Sequence, residues 1–181
     1  MSVIREGTGF EWLAEPSRVG LDLQDQLAVC WWEVANAGGA VGFPFLPVER
    51  ERVNRAVTEL VNSLDPMGTQ LLVAHEGGSL LGWLLLTLNT NPVVSHSARV
   101  TRVQTSLTAR ATGVGRALME EVARAAREDH RLEQLHLELR AGQGLEGFYE
   151  SCGYKEIGRW PGALRLGVES DRDAVLMLLS L

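Results

Sequence analysis

The chain is poor in the features that mark several common protein classes. Only two cysteines, Cys30 and Cys152, occur among 181 residues, far apart and without metal-ligand spacing. Two thiols in a chain this long build no disulfide framework, so a reducing, cytoplasmic setting and no metal are the expectation. The most apolar stretch, Leu80-Leu81-Gly82-Trp83-Leu84-Leu85-Leu86, is far short of the ~20 residues a membrane-spanning helix needs. The opening MSVIREGTGFEWLAEP holds no apolar run of the signal-peptide kind. Basic residues are in the minority, 17 against 23 acidic ones, for a net charge of −6. A nucleic-acid binder needs a basic face, so neither nucleic acid nor membrane is an expected partner. An acidic surface mildly favours cationic acceptors through steering. Repeats, low-complexity tracts and composition shifts are absent as well. One domain over residues 1–181 is therefore expected, large enough to bury roughly 70% of its unfolded surface.

What is present reads as an alternation of helical and strand patterns. Residues 10–14 form a short first strand before the Pro16-Ser17 break. Leu23, Leu27, Cys30/Trp31 and Val34 fall at helical spacing, and a second helix spans residues 49–64. Between them, residues 38–47 (GGAVGFPFLP) are too broken for a regular element and too apolar for a solvated linker. They read either as a loop packing its aromatics down or as one lining an acceptor pocket. Residues 70–76 and 79–88 form a hairpin about Gly77-Gly78, whose glycines supply the positive φ angles of a primed turn. Both strands are nearly all apolar and belong in the middle of a sheet, buried on both faces. In the next strand, Ala98 and Val100 share one parity and Val103 the other, which a bulge near Thr101-Arg102 would reconcile. Leu135, Leu137 and Leu139 then alternate with His136, Glu138 and Arg140. A short helix over 145–152 and strands over 154–159 and 174–179 complete the chain, with a loop beginning at Trp160-Pro161-Gly162. The order β-α-α-β-β-β-α-β-α-β-β predicts a mixed α/β (α+β) fold with antiparallel hairpins and about four helices.

The stretch 100–121 carries the strongest chemical signal. A strand there delivers Arg110-Ala111-Thr112-Gly113-Val114-Gly115 into an amphipathic helix. The unsatisfied N–H groups of a helix's first turn, together with its dipole, bind anions, and glycines let the backbone approach closely. A phosphate-bearing cofactor is the natural ligand. A P-loop would need a lysine and a hydroxyl after the glycines, but Gly115 is followed by Arg116-Ala117. A dinucleotide fingerprint would need a third glycine where Leu118 stands, although Glu133 lies near the acidic spacing.

Coenzyme A is the third candidate. Arg110-x-x-Gly113-x-Gly115 resembles the R/Q-x-x-G-x-G/A signature of the GNAT superfamily of N-acyltransferases. Phe148-Tyr149-Glu150-Ser151-Cys152-Gly153-Tyr154 is similar to that family's F-Y-x-x-x-G-[FY] segment, and His96-x-Ala98-x-Val100 to a stretch that precedes the signature in many members. The likeness covers about residues 69–180 well and the first 68 only in outline. It implies a GNAT-like domain with a mostly antiparallel sheet whose bulged central strands splay apart. It implies acetyl-CoA as co-substrate, with the pyrophosphate on the backbone of Arg110, Ala111, Thr112, Gly113, Val114 and Gly115 and with Arg116 close by. Val103, Gln104 and Thr105 match positions whose backbone runs beside the pantetheine arm, where side-chain identity matters little. Tyr149 matches the tyrosine that protonates the departing thiolate. A small-molecule or peptide amine would attack the thioester directly, through a tetrahedral intermediate. Because such an amine must first lose a proton, a base is needed: Glu138 leads, followed by His136, His96 or a water chain. Two departures stand out. Gly142 replaces an Asn that contacts the cofactor in many members, leaving that contact to backbone or Gln143, and Leu107 replaces a common proline. Cys152 as a covalent nucleophile lacks a histidine to activate it. The other reading of the same fold is a non-catalytic acyl-CoA-binding or regulatory module. Similar proteins often pair, so a homodimer is one expectation for the assembly.

Overall fold

A computed structural model describes residues 7–39, 42–166 and 171–181. Its elements run β1 Gly9–Leu13, α1 Leu21–Asn36, α2 Arg50–Asn62, β2 Thr69–Glu76, β3 Ser79–Leu88, β4 Ser97–Thr105, α3 Val114–Glu128, β5 Gln134–Arg140, α4 Glu146–Ser151, β6 Lys155–Arg165 and β7 Asp171–Ser180. This is the order expected from the sequence. The strands make one seven-stranded sheet, β1-β2-β3-β4-β5-β7-β6, antiparallel everywhere except between β4 and β5.

Two cores lie on its two faces. Alternating residues of β2 and β3 divide between them. Leu72, Ala74, Leu84 and Leu86 join α3 residues Leu118, Met119 and Val122, while Leu71, Val73, Trp83 and Leu85 join Leu27, Trp31, Val53 and Val57 of α1 and α2. A strand buried on both faces has no polar side to alternate with, which is why this hairpin reads as continuous apolar sequence.

Two features open the middle of the sheet. Opposite Leu84, β4 inserts one extra residue: Leu85 pairs with Thr101 but Trp83 with Gln104, and Arg102 takes φ 57°. That is the bulge the phase change in β4 called for. Pairing between β4 and β5 is confined to Ser97↔Gln134, Ala98↔Leu135 and Arg99↔His136. Beyond Arg99 the two strands separate.

The C-terminal hairpin departs from expectation. The loop predicted from Trp160 is strand instead, because β6 keeps its pairing with β7 on both sides of an irregularity between Trp160↔Ala174 and Leu164↔Arg172. Pro161 and Gly162 sit in that irregularity. Gly162 has φ 62°, and its N–H donates to Asp173 Oδ1 at 3.0 Å. The breaker pair marks a bulge, and residues 167–170 of the expected loop lie outside the described residues. No helix among the described residues is long and apolar enough to cross a membrane.

Candidate active site

The separation of β4 from β5 creates a cleft of about 1120 Å³ that runs through the sheet from the N-terminus of α3 to the α1 side. β5 lines it with residues of both parities, Leu137 and Leu139 as well as Glu138 and Arg140, because no neighbouring strand covers that edge. The facing edge is Thr101 to Thr105 of β4.

At one end lies the glycine turn. The first helical hydrogen bond of α3 runs from the Ala117 N–H to the Gly113 carbonyl at 3.0 Å. The N–H groups of Val114, Gly115 and Arg116 are therefore the unpaired first-turn donors of this helix. Gly113 caps it with φ 88°, and Ala111 just before takes φ 59°, a left-handed conformation that costs a non-glycine residue about 1–2 kcal/mol. The Thr112 hydroxyl closes the turn by donating to the Ala109 carbonyl at 2.7 Å. A Cβ on Gly115 would sit 3.4 Å from the Phe148 ring and 3.6 Å from Thr105 Cγ2, so glycine keeps this corner open. Arg116 is anchored by the Ser151 carbonyl (2.9 Å) and hydroxyl (2.8 Å), which ties α3 to α4 beside the turn. Of the ten residues assigned to the coenzyme, Val103, Gln104, Thr105, Arg110, Ala111, Gly113, Gly115 and Arg116 line the cleft; Thr112 and Val114 do not. Loose backbone donors, a positive helix end and two arginines suit a pyrophosphate.

Tyr149 stands where the strands part. It is 8% exposed, packs edge-on to Phe148 and Tyr154, and its hydroxyl makes no hydrogen bond among the described residues. Burial, with the nearby Cys152 thiol adding to it, pushes its pKa well above the ordinary phenol value, so it keeps its proton throughout the neutral range. The Cys152 thiol is raised as well, chiefly by burial, which removes it further from nucleophilic duty.

The base candidates separate by position. Glu138 lines the cleft and meets Arg99 at 3.7 Å. His136 is half-buried, its pKa pushed below the ordinary imidazole value by burial and by Arg99, and it does not line the cleft. His96 is exposed in the turn before β4, at the end of that strand remote from the bulge, and only its carbonyl is engaged, by the Glu133 and Gln134 N–H groups. Glu138 is the one of the three that faces the place where the strands part.

The α1 end of the cleft is lined by Val34, Ala37, Gly38, Gly39 and Gly42, with Arg99, Arg102 and Arg140 across from them. The loop over 38–47 divides: Gly38, Gly39 and Gly42 line the cleft, Phe43 packs into the core against Trp31, and Phe45, expected to pack down with it, is 58% exposed. Ala40 and Val41 lie outside the described residues. Arg102 is half-buried, its guanidinium 4.9 Å above the Trp31 ring. Gln143 donates to the Gly38 carbonyl at 3.1 Å, bridging the β5–α4 loop to the end of α1. Trp31 is core, Trp32 donates to the Val48 carbonyl, and Trp160 is 66% exposed; none of the three lines the cleft. Among the described residues no group of three or more His, Cys, Asp or Glu side chains is placed to hold a metal ion.

Comparison with known proteins agrees with this geometry. The family model described as an acetyltransferase (GNAT) domain matches residues 48–160, well over half of the chain. A GCN5-related N-acetyltransferase from Kribbella flavida superposes with a TM-score of 0.75 at 18% identity, covering 97% of this chain and 99% of that one. A ribosomal-protein-alanine N-acetyltransferase from Brucella melitensis gives 0.69 at 20% identity, covering 91% and 98%. An aminoglycoside 6′-N-acetyltransferase complexed with coenzyme A gives 0.71 at 14%, covering 95% and 96%. These similarities show a shared fold. The family match adds to them that the chain belongs to the GNAT acetyltransferase family.

Proposed function

We propose that the protein transfers an acetyl group from acetyl-CoA to an amine. One observation carries the reading: a continuous cleft joins the glycine turn of α3 to the hydroxyl of the buried Tyr149, which has no partner among the described residues. The N–H groups of Val114, Gly115 and Arg116, with the Arg110 and Arg116 side chains, would hold the pyrophosphate, and the free edge of Val103–Thr105 would pair with the pantetheine amides. The bound donor would supply a thioester carbonyl to which the amine nitrogen adds first, the C–S bond giving way only once the new C–N bond is formed.

The residues of the chain manage the protons. Glu138 takes one from the amine, which is mostly protonated at neutral pH and cannot attack until it loses it. Tyr149 gives one to the departing sulfur and is restored by the second proton, which the nitrogen sheds as it becomes an amide. Its raised pKa makes it a weaker acid than a free phenol, yet a thiolate formed in the same apolar surroundings is raised too. The transfer therefore stays close to balanced. Leu137 and Leu139 keep the dividing point apolar and limit hydrolysis of the thioester.

Thiol release from acetyl-CoA, followed with a panel of primary amines, tests the reading. Amine-dependent release is expected, with kcat about a hundredfold lower in Tyr149→Phe and kcat/KM about tenfold lower in Glu138→Gln. Thermal stabilisation by coenzyme A without turnover of any amine would instead indicate a binding module.

A further inference from the structure

Gln104 is the most buried polar side chain in the cleft, at 3% exposure. Its position opposite Trp83, whose ring belongs to the core under α1 and α2, puts its side chain on the α1 face. Both amide atoms, Nε2 and Oε1, are buried and neither has a hydrogen-bond partner among the described residues. Natural proteins leave few such groups unpaired, and those that remain call for a specific partner. Gln104 lines the cleft, and a turn of its side chain would bring the amide to whatever enters from the α1 end.

The charge of that end is unlike the charge of the chain. Arg99, Arg102 and Arg140 line it; among the described residues the one lining carboxylate is that of Glu138, which Arg99 already meets. Arg140 has its Nε buried without a partner among the described residues. A polycation would enter against three guanidiniums; a carboxylate would enter toward them.

We infer that the acceptor is a small α-amino carboxylate, seated with its carboxylate on Arg140 and on the Gln104 amide nitrogen and with its amine against the Gln104 amide oxygen. The inference rests on the acetyltransferase reading and adds the acceptor class. A carboxamide has one oxygen to accept from a neutral amine and one NH₂ to donate to a carboxylate. In an α-amino acid those two groups are one carbon apart, so a single glutamine side chain can hold both. The amine lone pair is then left free for the carbonyl carbon, and the carboxylate completes the unpaired Arg140. A peptide N-terminus offers no α-carboxylate to this arrangement, and a polyamine offers only charge of the wrong sign.

Product binding tests this without requiring turnover. N-acetylated amino acids with small, acidic and aromatic side chains would be titrated calorimetrically against their matched carboxamides and N-acetylputrescine, with and without coenzyme A. At least one carboxylate should bind about tenfold more tightly than its carboxamide, a difference of about 1.4 kcal/mol. The ratio should fall toward unity in Gln104→Leu and in Arg140→Gln and should invert in Gln104→Glu, with thermal unfolding confirming that each variant is folded. Equal or weaker binding of every carboxylate, absence of binding by all of them, or an unchanged ratio in the Gln104 variants would each overturn the inference. Binding of coenzyme A, read in the same titrations, reports separately on the acetyltransferase reading.

Discussion

The chain has two tyrosines, five residues apart, and burial acts on them to different ends. Tyr149 faces the cleft, where an unpaired hydroxyl is of use to a ligand. Tyr154 is 2% exposed in the core, and its hydroxyl is buried with no partner among the described residues. An unpaired buried hydroxyl costs about 1–3 kcal/mol, so Tyr154→Phe should stabilise the protein by about 1 kcal/mol. Calorimetry should show a rise of about 2–4 °C in Tm, and a fall would mean that the hydroxyl has a partner in solution. The motif containing Tyr149 was legible in the sequence; the unpaired amide of Gln104 was not. Before the structure, Gln104 is one residue of a stretch whose backbone matters. Its burial depends on the bulge, which decides the face toward which residue 104 points, and on α1, which covers that face.

Among the elements, β4 decides most. The sequence already implied its bulge through the conflicting parity of Val100 and Val103, and implied a break from β5 through the family likeness. It did not show what presses β4 into shape from the other side. A Cβ on Gly82 of β3 would come 2.6 Å from the Gln104 carbonyl oxygen, 3.1 Å from Leu118 Cδ1 and 3.3 Å from Thr105 Cα. Two of those atoms are β4 backbone and cannot swing aside. Gly82→Ala should therefore destabilise the fold by about 1–3 kcal/mol in urea unfolding and weaken coenzyme A binding, because it displaces the edge that meets the pantetheine. Undiminished coenzyme A affinity in that variant would show that the edge tolerates displacement. In the sequence Gly82 was one small residue in an apolar run, and a close approach between two backbones leaves no mark on a chain read alone. The β6–β7 hairpin misled for the opposite reason. Pro161-Gly162 is strong local punctuation, yet pairing on either side keeps the strand going around it.

For the whole molecule, composition and site point in opposite directions. A net charge of −6 favours cationic acceptors, whereas among the described residues the cleft carries Arg99, Arg102, Arg110, Arg116 and Arg140 against Glu138 alone. Overall charge averages over a surface, and only the fold can gather arginines from β4, the turn, α3 and β5 around one opening. Burial also gives the molecule a predictable response to alkali. It pushes the Cys30 thiol up to about 12 and raises Cys152, Tyr149 and Tyr154 as well. Unfolded thiols ionise near pH ~8.5 and phenols near ~10, so above those values the unfolded state binds fewer protons and stability falls as pH rises. Lys155 is the sole lysine, so little amine titration overlaps this window. Urea midpoints should be flat from about pH 7 to 8 and decline steadily from about pH 9 to 11; a flat profile through pH 11 would refute that burial.

The central claim is that donor and acceptor meet where β4 parts from β5. A crystal structure with coenzyme A bound tests it most directly. The pyrophosphate should lie on the first-turn N–H groups of α3, the pantetheine along Val103–Thr105, and the sulfur within hydrogen-bonding reach of the Tyr149 hydroxyl. Coenzyme A bound outside the cleft, or in it with the sulfur remote from Tyr149, would contradict it.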